Sequence, residues 1–404
     1  MRLFVRQAYL DQLVMHLGND FVKVLTGVRR SGKSSMLLLL KQHLIAHGAQ
    51  ESQFVEVNYE KFSSAALKDP AALHNYVASR AVHQQQMYLF IDEVQELPDW
   101  ARVINSIRVS FPCDVYVTGS NSTMFSGEHL TYLSGRYVEI KIYPLSFREF
   151  LAFRNYEESR AEEYFNDYLR VGSFPAIGLT ENNQLIDAIL SGLFDSIFSR
   201  DIILRGNIRD EGTFFKVAKY VFENIGNQTS ANGIKNTMIS NGHKITSDTV
   251  DNYLKLMCDA HMLYQCERYD IRGKERLKTN GKYYVVDTGL RNKLLGYKNN
   301  NTGHVVENIV YLQLLRMGYT LYVGKNASRE VDFIATKSNQ TMYVQVALTA
   351  LNTQTHAREI ASLSTINDQY PKYLVTMDKL DLSQDGIRHV NLFDLLLERV
   401  DFSA

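Results

Sequence analysis

The stretch FVKVLTGVRRSGKSSMLLLLKQHL, residues 21–44, decides the fold class. It opens with an apolar run typical of a buried strand and closes with a segment of helical length and composition. Between them, residues 27–34 read GVRRSGKS and match G-x-x-x-x-G-K-[ST] at every fixed position. Glycines in such a loop let successive backbone N–H groups point at an anion, and the helix N-terminus adds partial positive charge. The stretch therefore predicts a phosphate-binding loop.

The side chains of this loop have separate tasks in the predicted site. Lys33 would reach the β- and γ-phosphates of a nucleotide, and the Ser34 hydroxyl would ligate Mg²⁺. We therefore expect ATP and Mg²⁺ as cofactors. The predicted nucleotide-binding residues are Gly27, Val28, Arg29, Arg30, Ser31, Gly32, Lys33, Ser34 and Ser35.

A second apolar strand, MYLFIDEVQ at residues 87–95, ends in two adjacent carboxylates about 60 residues after the loop. Asp92 would hold Mg²⁺ through water. Glu93 would orient or deprotonate the attacking water. Because this acidic strand end follows a phosphate-binding loop, the sequence predicts nucleotide hydrolysis as well as binding.

Two later positions are candidates for contact with the reacting phosphate. The segment DVYVTGSNS, residues 114–122, resembles the sensor-1 strand of AAA-type ATPases. That resemblance places Asn121, or Ser120 beside it, on the γ-phosphate or the lytic water; an ordinary turn at a strand end is the alternative. Arg136 precedes another strand and is either an arginine finger supplied across a subunit interface or a structural arginine.

Strand-like and helical runs alternate through about residue 150, which predicts a parallel sheet with helices on both faces. The fold class of this part is therefore α/β, with the parallel sheet of a P-loop NTPase. Motifs later in the chain add a helical and winged-helix region and, by resemblance, a PD-(D/E)XK-like α/β core. We expect an ATPase domain over 1–150 and a helical lid or linker over 151–208. A winged helix-turn-helix is expected over 209–300 and a restriction-endonuclease-like domain over 301–404.

The motifs together have a specific family resemblance. TGVRRSGKSS, FIDEVQELPDW, TGSNS, LSGRY and PLSFREF resemble a family of prokaryotic AAA-type ATPases of the ASCE P-loop class with a C-terminal domain of unknown function. GSFP, residues 172–175, is similar to a Gly-Gly-Phe-Pro motif of that family, with Ser173 replacing the second glycine. The resemblance implies that Pro175 lies near the nucleotide. It also implies a homo-oligomer, a hexameric ring being one such form.

Composition narrows the remaining choices. Lys plus Arg and Asp plus Glu both number 44, so overall charge does not select a nucleic-acid partner. Three widely spaced cysteines form neither a metal nor a disulfide pattern and favour a reducing compartment. The N-terminus lacks the apolar region of a signal peptide, and no apolar run approaches the roughly 20 residues that span a membrane. We therefore expect a cytoplasmic protein with no membrane partner.

Residues 213–257 predict a helix, a short helix, a turn and a third helix with Ser247 as candidate N-cap. The hairpin that follows completes the pattern of a winged helix-turn-helix. It holds six basic residues against two acidic ones, a composition suited to phosphate contact. The alternative is a winged helix that packs within the protein and touches no DNA. The basic residues are Arg268, Arg272, Lys274, Arg276, Lys278 and Lys282.

The C-terminal segment EVDFIATKSNQTMYVQVALTA, residues 330–350, resembles the metal-binding hairpin of PD-(D/E)XK nucleases. The resemblance places Glu307, Asp332 and Gln345 at the metal-ligand positions, and Ala347 where the nucleases carry lysine. An alanine cannot replace that lysine, although Lys325 or Lys337 could reach in from elsewhere. We therefore expect a degenerate nuclease domain that clamps DNA or packs.

The sequence thus predicts an oligomeric, ATP-hydrolysing, DNA-binding AAA-type ATPase that acts on duplex or branched DNA. Lys33, Glu93, Asn121 and Arg136 are its expected catalytic residues, and Ser34 and Asp92 its metal ligands. A STAND-like switch that controls a protein partner is one alternative. An ATP-dependent nuclease is the other.

Overall fold

The computed structural model describes residues 3–81, 86–122, 132–297, 302–327 and 329–402. The chain forms two compact units, each with its own β-sheet. The first comprises Met1–Pro144 and Asp259–His261, and the second comprises Leu145–Cys258 and Met262–Ala404. None of the helices within these described ranges is long and apolar enough to cross a membrane.

The first unit is built on a five-stranded sheet in which every neighbouring pair is parallel. The order is β2-β3-β4-β1-β5, so β4 is inserted between β1 and β3. The ends of β1 and β3 are therefore two strand spacings, about 10 Å, apart. The strands are β1 (Val22–Thr26), β2 (Phe54–Asn58), β3 (Met87–Asp92), β4 (Cys113–Thr118) and β5 (Tyr137–Lys141).

Helices cover both faces of this sheet because successive strand residues point to opposite sides. In β3, Leu89 and Ile91 pack in one apolar cluster with α3 and α4, whereas Phe90 packs in another with α1 and α2. The parallel sheet with helices on both faces predicted from the sequence is confirmed. These helices are α1 (Gln7–Met15), α2 (Lys33–Ala46), α3 (Pro70–Arg80) and α4 (Trp100–Ser110).

The chain after residue 144 is mainly helical as far as residue 259. The helices have side-chain caps at several N-termini: Asn182, Asp210 and Ser230 each accept a backbone N–H from the first turn that follows. Thr246 does so for α11, where the sequence predicted Ser247 as the cap. The helices are α5 (Phe147–Arg154), α6 (Ala161–Val171), α7 (Pro175–Gly178), α8 (Asn183–Asp195), a π-helix (Ser196–Leu204), α9 (Glu211–Glu223), α10 (Ala231–Ser240) and α11 (Ser247–Asp259).

The remaining elements include a seven-stranded mixed sheet in the order β12-β11-β10-β9-β8-β6-β7. From α13 onward the element order α-β-β-β-α-β is the one predicted from the sequence. The elements are β6 (Leu263–Asp270), β7 (Glu275–Val285), α12 (Thr288–Leu295), α13 (Thr302–Arg316), β8 (Thr320–Asn326), β9 (Arg329–Lys337), β10 (Gln340–Val346), α14 (Thr353–Ser364), β11 (Lys372–Thr376), β12 (Ile387–Asn391) and α15 (Leu392–Leu396).

The hairpin predicted as a wing, β6 and β7, forms one edge of this larger sheet. β6 pairs in parallel with β8 through Arg268–Val323, Tyr269–Gly324 and Asp270–Lys325. The sheet therefore runs across residue 300, where the sequence placed a domain boundary. β7 and β9 consequently belong to the same sheet.

Candidate functional site

The phosphate-binding loop follows β1 and has the backbone that its glycines permit. Gly27, Arg30 and Gly32 have φ angles of 138°, 65° and 105°, a region that favours glycine. A Cβ atom on Gly27 would lie closer than 3.0 Å to the carbonyl oxygen of Ile142. The loop therefore has a fixed, crowded backbone at its first glycine.

The polar groups of the loop suit an anionic ligand. Lys33 Nζ donates to the carbonyl oxygens of Gly27, at 2.9 Å, and Val28, at 3.1 Å, which curls its side chain over the loop. Ser31 Oγ is buried and has no hydrogen-bond partner in the described part of the chain. A buried hydroxyl without a partner is costly, and a phosphate oxygen would satisfy it. Ser34, the predicted Mg²⁺ ligand, is exposed.

Two arginines support this loop, and the sequence identified only one of them. Arg29 is buried and donates from Nη2 to Glu60 Oε1 at 2.9 Å. Arg6, ahead of α1, is also buried and donates to the carbonyl oxygens of Ser31 at 3.1 Å and Tyr143 at 2.9 Å. Nothing in the local sequence around Arg6 indicates this role, because its partners lie 25 and 137 residues away.

Asp92 and Glu93 stand at the carboxyl end of β3, where the sequence placed them. Asp92 Oδ2 accepts from Asn58 Nδ2 at 2.9 Å, and Asp92 Oδ1 accepts from the Thr118 hydroxyl. Glu93 has a φ of 58°, unusual for a residue with a side chain, and its N–H donates to Thr118 Oγ1 at 3.0 Å. One hydroxyl therefore contacts both the carboxylate of Asp92 and the backbone of Glu93.

Only one oxygen of the Glu93 carboxylate accepts hydrogen bonds from other described residues. Its Oε2 accepts from Ser120 Oγ at 3.1 Å and from Gln95 Nε2. Its Oε1 has no hydrogen-bond partner among the residues that the structure describes. Of the two candidates for the sensor-1 position, Ser120 is the one that contacts Glu93. Asn121 is buried beside it.

The sequence did not predict the residues that position the acidic pair. Asn58 ends β2 and lies opposite Asp92 in the parallel register, and Thr118 ends β4. A polar residue at the end of a predicted strand is the only local signal for either. The strand order turns that signal into a contact, because β3 lies between β2 and β4.

The local environments of Arg136 and Pro175 do not test the roles predicted for them. The Arg136 side chain is exposed and makes no hydrogen bond or ion pair with other described residues. Pro175 opens α7, and the GSFP backbone before it is held by Asp287, whose Oδ2 accepts from Ser173 N at 2.6 Å and Ser173 Oγ at 2.9 Å. The left-handed φ of Gly172, 81°, fits this packing.

The basic residues predicted for the wing divide into different environments. Arg272, Lys274 and Arg276 are exposed, whereas Arg268 is half-buried. The turn between the strands is ordered by Asp270, whose Oδ1 accepts the backbone N–H groups of Arg272 and Gly273 at 3.0 Å. The side chain of Lys278 lies outside the part that the structure describes.

Lys282 corrects the interpretation of the wing. It is buried, and its Nζ lies 2.8 Å from Glu307 Oε1 and 3.2 Å from Asp332 Oδ1. Burial opposes its charged form, but the surrounding carboxylates raise the pKa of Lys282 above its ordinary value. Lys282 is therefore buried among carboxylates and does not belong to an exposed basic surface.

The nuclease-like positions come together around this lysine. Gln345 Oε1 accepts the backbone N–H of Asp332 at 3.2 Å. Neither of the lysines that the sequence offered as substitutes reaches the cluster: Lys325 Nζ lies 3.9 Å from Asp270, and Lys337 Nζ donates to the Met317 carbonyl at 2.8 Å. Burial, with the charge of Glu307, raises the pKa of Asp332 to about 7.

Comparison with known proteins identifies the first unit. A family model described as an AAA domain matches residues 19–151. The chain belongs to the P-loop AAA-type ATPases. Two models described as domains of unknown function, DUF8612 and DUF4143, match residues 162–301 and 302–395 of this ATPase. The expectation of an AAA-type ATPase with a C-terminal domain of unknown function is confirmed.

The sequence similarity extends over most of the length of two relatives of this ATPase. An uncharacterised protein of Haemophilus influenzae is 40% identical over 397 residues, which cover 97% of this chain and 98% of the relative. An uncharacterised protein of Methanocaldococcus jannaschii is 28% identical, covering 94% of this chain and 87% of the relative. A Walker-type ATPase of Pyrococcus abyssi matches 72% of this chain and 95% of its own, at 13% identity and a TM-score of 0.48, a likeness too distant to bear on function.

Gly27→Ala tests the crowded start of the phosphate-binding loop. The added Cβ meets the Ile142 carbonyl and the φ of 138° disfavours a side chain, so the loop must shift. We expect at least about tenfold weaker binding of a fluorescent ATP analogue, which corresponds to about 1.4 kcal/mol. Gly18→Ala is the matched control, since its φ is also positive but its Cβ would meet nothing within 4 Å. Equal affinities in the two variants would contradict this account of the loop.

Proposed function

We propose that this ATPase hydrolyses ATP to ADP and phosphate with Lys33, Ser34, Asp92 and Glu93 as its working residues. The observation that carries the proposal is the pair of held carboxylates at the carboxyl end of the sheet, where the phosphate-binding loop also lies. Thr118 holds the Asp92 carboxylate and the backbone N–H of Glu93, and Ser120 and Gln95 hold the Glu93 carboxylate. Hydrolysis needs a positioned carboxylate beside the nucleotide, and mere binding does not.

The residues of the loop fit a nucleotide with Mg²⁺. Bound Mg²⁺ neutralises charge on the β- and γ-phosphate oxygens. The exposed Ser34 hydroxyl and the Asp92 carboxylate are the groups that would hold it, Asp92 through water. The helix N-terminus at Lys33 and the buried Ser31 hydroxyl complete the donors for the phosphates.

Glu93 is the group that would take the proton from the attacking water. Its Oε2 is held by Ser120 and Gln95, which leaves Oε1 for the water molecule. In this proposal Ser120 is a positioning residue, because it acts through Glu93. Asn121 takes the sensor-1 role predicted from the sequence, contact with the γ-phosphate.

Arg136 extends the proposal to an oligomer. Its exposed guanidinium makes no hydrogen bond or ion pair with other described residues and is thus available to a neighbouring subunit. An arginine supplied in this way stabilises negative charge on the transferring phosphoryl group. The proposed assembly is a homo-oligomer, such as a hexameric ring, with ATP bound between subunits.

Mixing two inactive variants tests the role of Arg136. Arg136→Ala alone should lower kcat by about 10³-fold, because the transition-state charge loses its partner. A mixture with Lys33→Ala should recover activity, since each Arg136→Ala subunit keeps an intact loop and each Lys33→Ala subunit supplies an arginine. Random assembly predicts about a quarter of the wild-type rate. A mixture that stays inactive, or an Arg136→Ala variant as fast as the wild type, would exclude the arginine finger.

DNA is the partner that we propose for the second unit. Arg272, Lys274 and Arg276 lie exposed around a turn that Asp270 holds in shape, so three positive charges are presented together. Cationic side chains on a hairpin suit the phosphate backbone of duplex or branched DNA. In this proposal the C-terminal residues clamp DNA without cutting it.

A second candidate function has its own support in α11. In a winged helix-turn-helix, the third helix reads the major groove. The exposed residues of α11 include Asp248 and Asp251 against Lys255, an excess of negative charge that opposes contact with DNA. This surface favours the alternative of an ATP-dependent switch that controls a protein partner.

The steady-state ATPase rate with and without DNA separates the two functions. If DNA is the partner, duplex or four-way-junction DNA should raise the rate several-fold in the wild type, and Lys33→Ala should stay inactive under both conditions. A robust rate that ignores DNA would favour the protein-directed switch.

Substitutions in the wing show whether the DNA-binding surface is placed correctly. Changing Arg272, Lys274 and Arg276 to Glu should weaken DNA binding. The slope of the logarithm of the binding constant against the logarithm of the salt concentration should also become less negative, by about 0.9 for each phosphate that the wing no longer neutralises. Glu275→Lys, in the same hairpin, should strengthen DNA binding and make its salt dependence steeper. Binding by fluorescence anisotropy at several salt concentrations measures both. An unchanged salt slope in the triple variant would remove the wing from the proposal.

A further inference from the structure

A cluster of acidic residues forms the floor of an open pocket in the second unit. The pocket has a volume of about 690 Å³. Its lining residues come from α13, β9, β10 and α14. They include His304, Glu307, Glu330, Asp332, Gln345 and Glu359. The nuclease resemblance assigns a divalent cation to three of these positions, so the fit of a cation to the cluster can be examined.

The cluster already contains a cation of its own. Lys282 Nζ lies 2.8 Å from Glu307 Oε1, 2.7 Å from Glu330 Oε1 and 3.2 Å from Asp332 Oδ1. An ammonium group has three N–H donors, and three carboxylates surround this one. The lysine comes from β7, and its side chain is 3% exposed. Positive charge therefore occupies the centre where the carboxylates converge.

The other ligand atoms that a metal would need are also engaged. Glu307 Oε2 lies 3.3 Å from His304 Nδ1, and Glu307 Oε1 accepts from the Tyr284 hydroxyl at 2.6 Å as well as from Lys282. Asp332 Oδ2 accepts the backbone N–H of Val346 at 2.9 Å. The amide oxygen of Gln345 accepts a backbone N–H, and its Nε2 donates to Glu359 Oε2 at 2.9 Å. Within the described ranges, no group of three or more His, Cys, Asp or Glu side chains is arranged to hold a metal ion.

Electrostatics oppose a divalent cation beside this lysine. Burial would raise the pKa of Glu307, but Lys282 and the hydrogen bonds from His304 and Tyr284 lower it below its ordinary value. The carboxylate is thus already stabilised in its charged form. A metal ion would have to displace a buried ammonium and would leave it without a partner, which is costly.

We infer that the ammonium of Lys282 takes the place of the divalent cation in the C-terminal cluster. The nuclease-like pocket is therefore a metal-free site with an internal counter-charge. Its three carboxylates hold β7 to α13 and β9 and do not activate water. This inference depends on neither ATP hydrolysis nor DNA binding by the chain.

Terbium luminescence tests the inference on the full-length protein without nucleotide. Tyr284 contacts Glu307, so a Tb³⁺ ion in the cluster would be excited through a tyrosine neighbour. The wild type should show no saturable Tb³⁺ luminescence that is abolished by Asp332→Asn. Lys282→Met frees the carboxylates, and we expect a signal at least tenfold stronger that is lost in Lys282→Met/Asp332→Asn. Lys282→Arg keeps a cation in place and should stay dark.

The thermal midpoint gives a second measurement in case Lys282→Met folds poorly. Removal of the lysine leaves buried carboxylates without a counter-ion, so Mn²⁺ should raise the Tm of Lys282→Met and leave that of the wild type unchanged. Two results would overturn the inference. One is a saturable wild-type signal that Asp332→Asn abolishes, and the other is a folded Lys282→Met variant with no gain in either Tb³⁺ or Mn²⁺ binding.

Discussion

The hydroxyl of Thr118 makes the contact on which the rest of the ATP site depends. It donates to Asp92 and accepts from the backbone N–H of Glu93, so it joins the ends of β3 and β4. Glu93 has a left-handed φ that a residue with a side chain adopts only when its surroundings hold it there. The hydroxyl can make both contacts only because β4 lies directly beside β3 in the sheet. The strand order of the sheet thus determines the geometry of the site.

Part of this structure could be predicted from the sequence because its determinants are local. GVRRSGKS specifies a loop conformation, and an apolar strand followed by Asp92-Glu93 specifies acidic residues at a strand end. Their mutual placement follows from a parallel sheet, in which all carboxyl ends meet at one edge. The same reasoning could not find Arg6 or Lys282. Each is an ordinary basic residue in its local sequence, and it becomes a buried partner only through strands and loops 25 or more residues away.

The ATP site of the first unit and the acidic cluster of the second differ in how many of their polar atoms have hydrogen-bond partners. In the first unit, a buried hydroxyl on Ser31 and one oxygen of Glu93 have no partner among the described residues, as expected of groups that meet a ligand. In the second unit, Lys282 supplies a counter-charge to the acidic cluster, and backbone N–H groups donate to Asp332 Oδ2 and to the amide oxygen of Gln345. A satisfied cluster of this kind is costly to open. This difference supports our proposal that ATP is hydrolysed in the first unit and that the second unit binds a partner.

The most direct test of the central claim is the effect of Glu93→Gln on binding and turnover of ATP, measured separately. The substitution keeps the shape of the side chain and removes its ability to take a proton. The account predicts an ATP affinity close to that of the wild type and a kcat lower by about 10²-fold or more. Glu96→Gln, three residues later, should match the wild type in both. A Glu93→Gln variant that turns over ATP at the wild-type rate would contradict the assignment of Glu93 as the catalytic base.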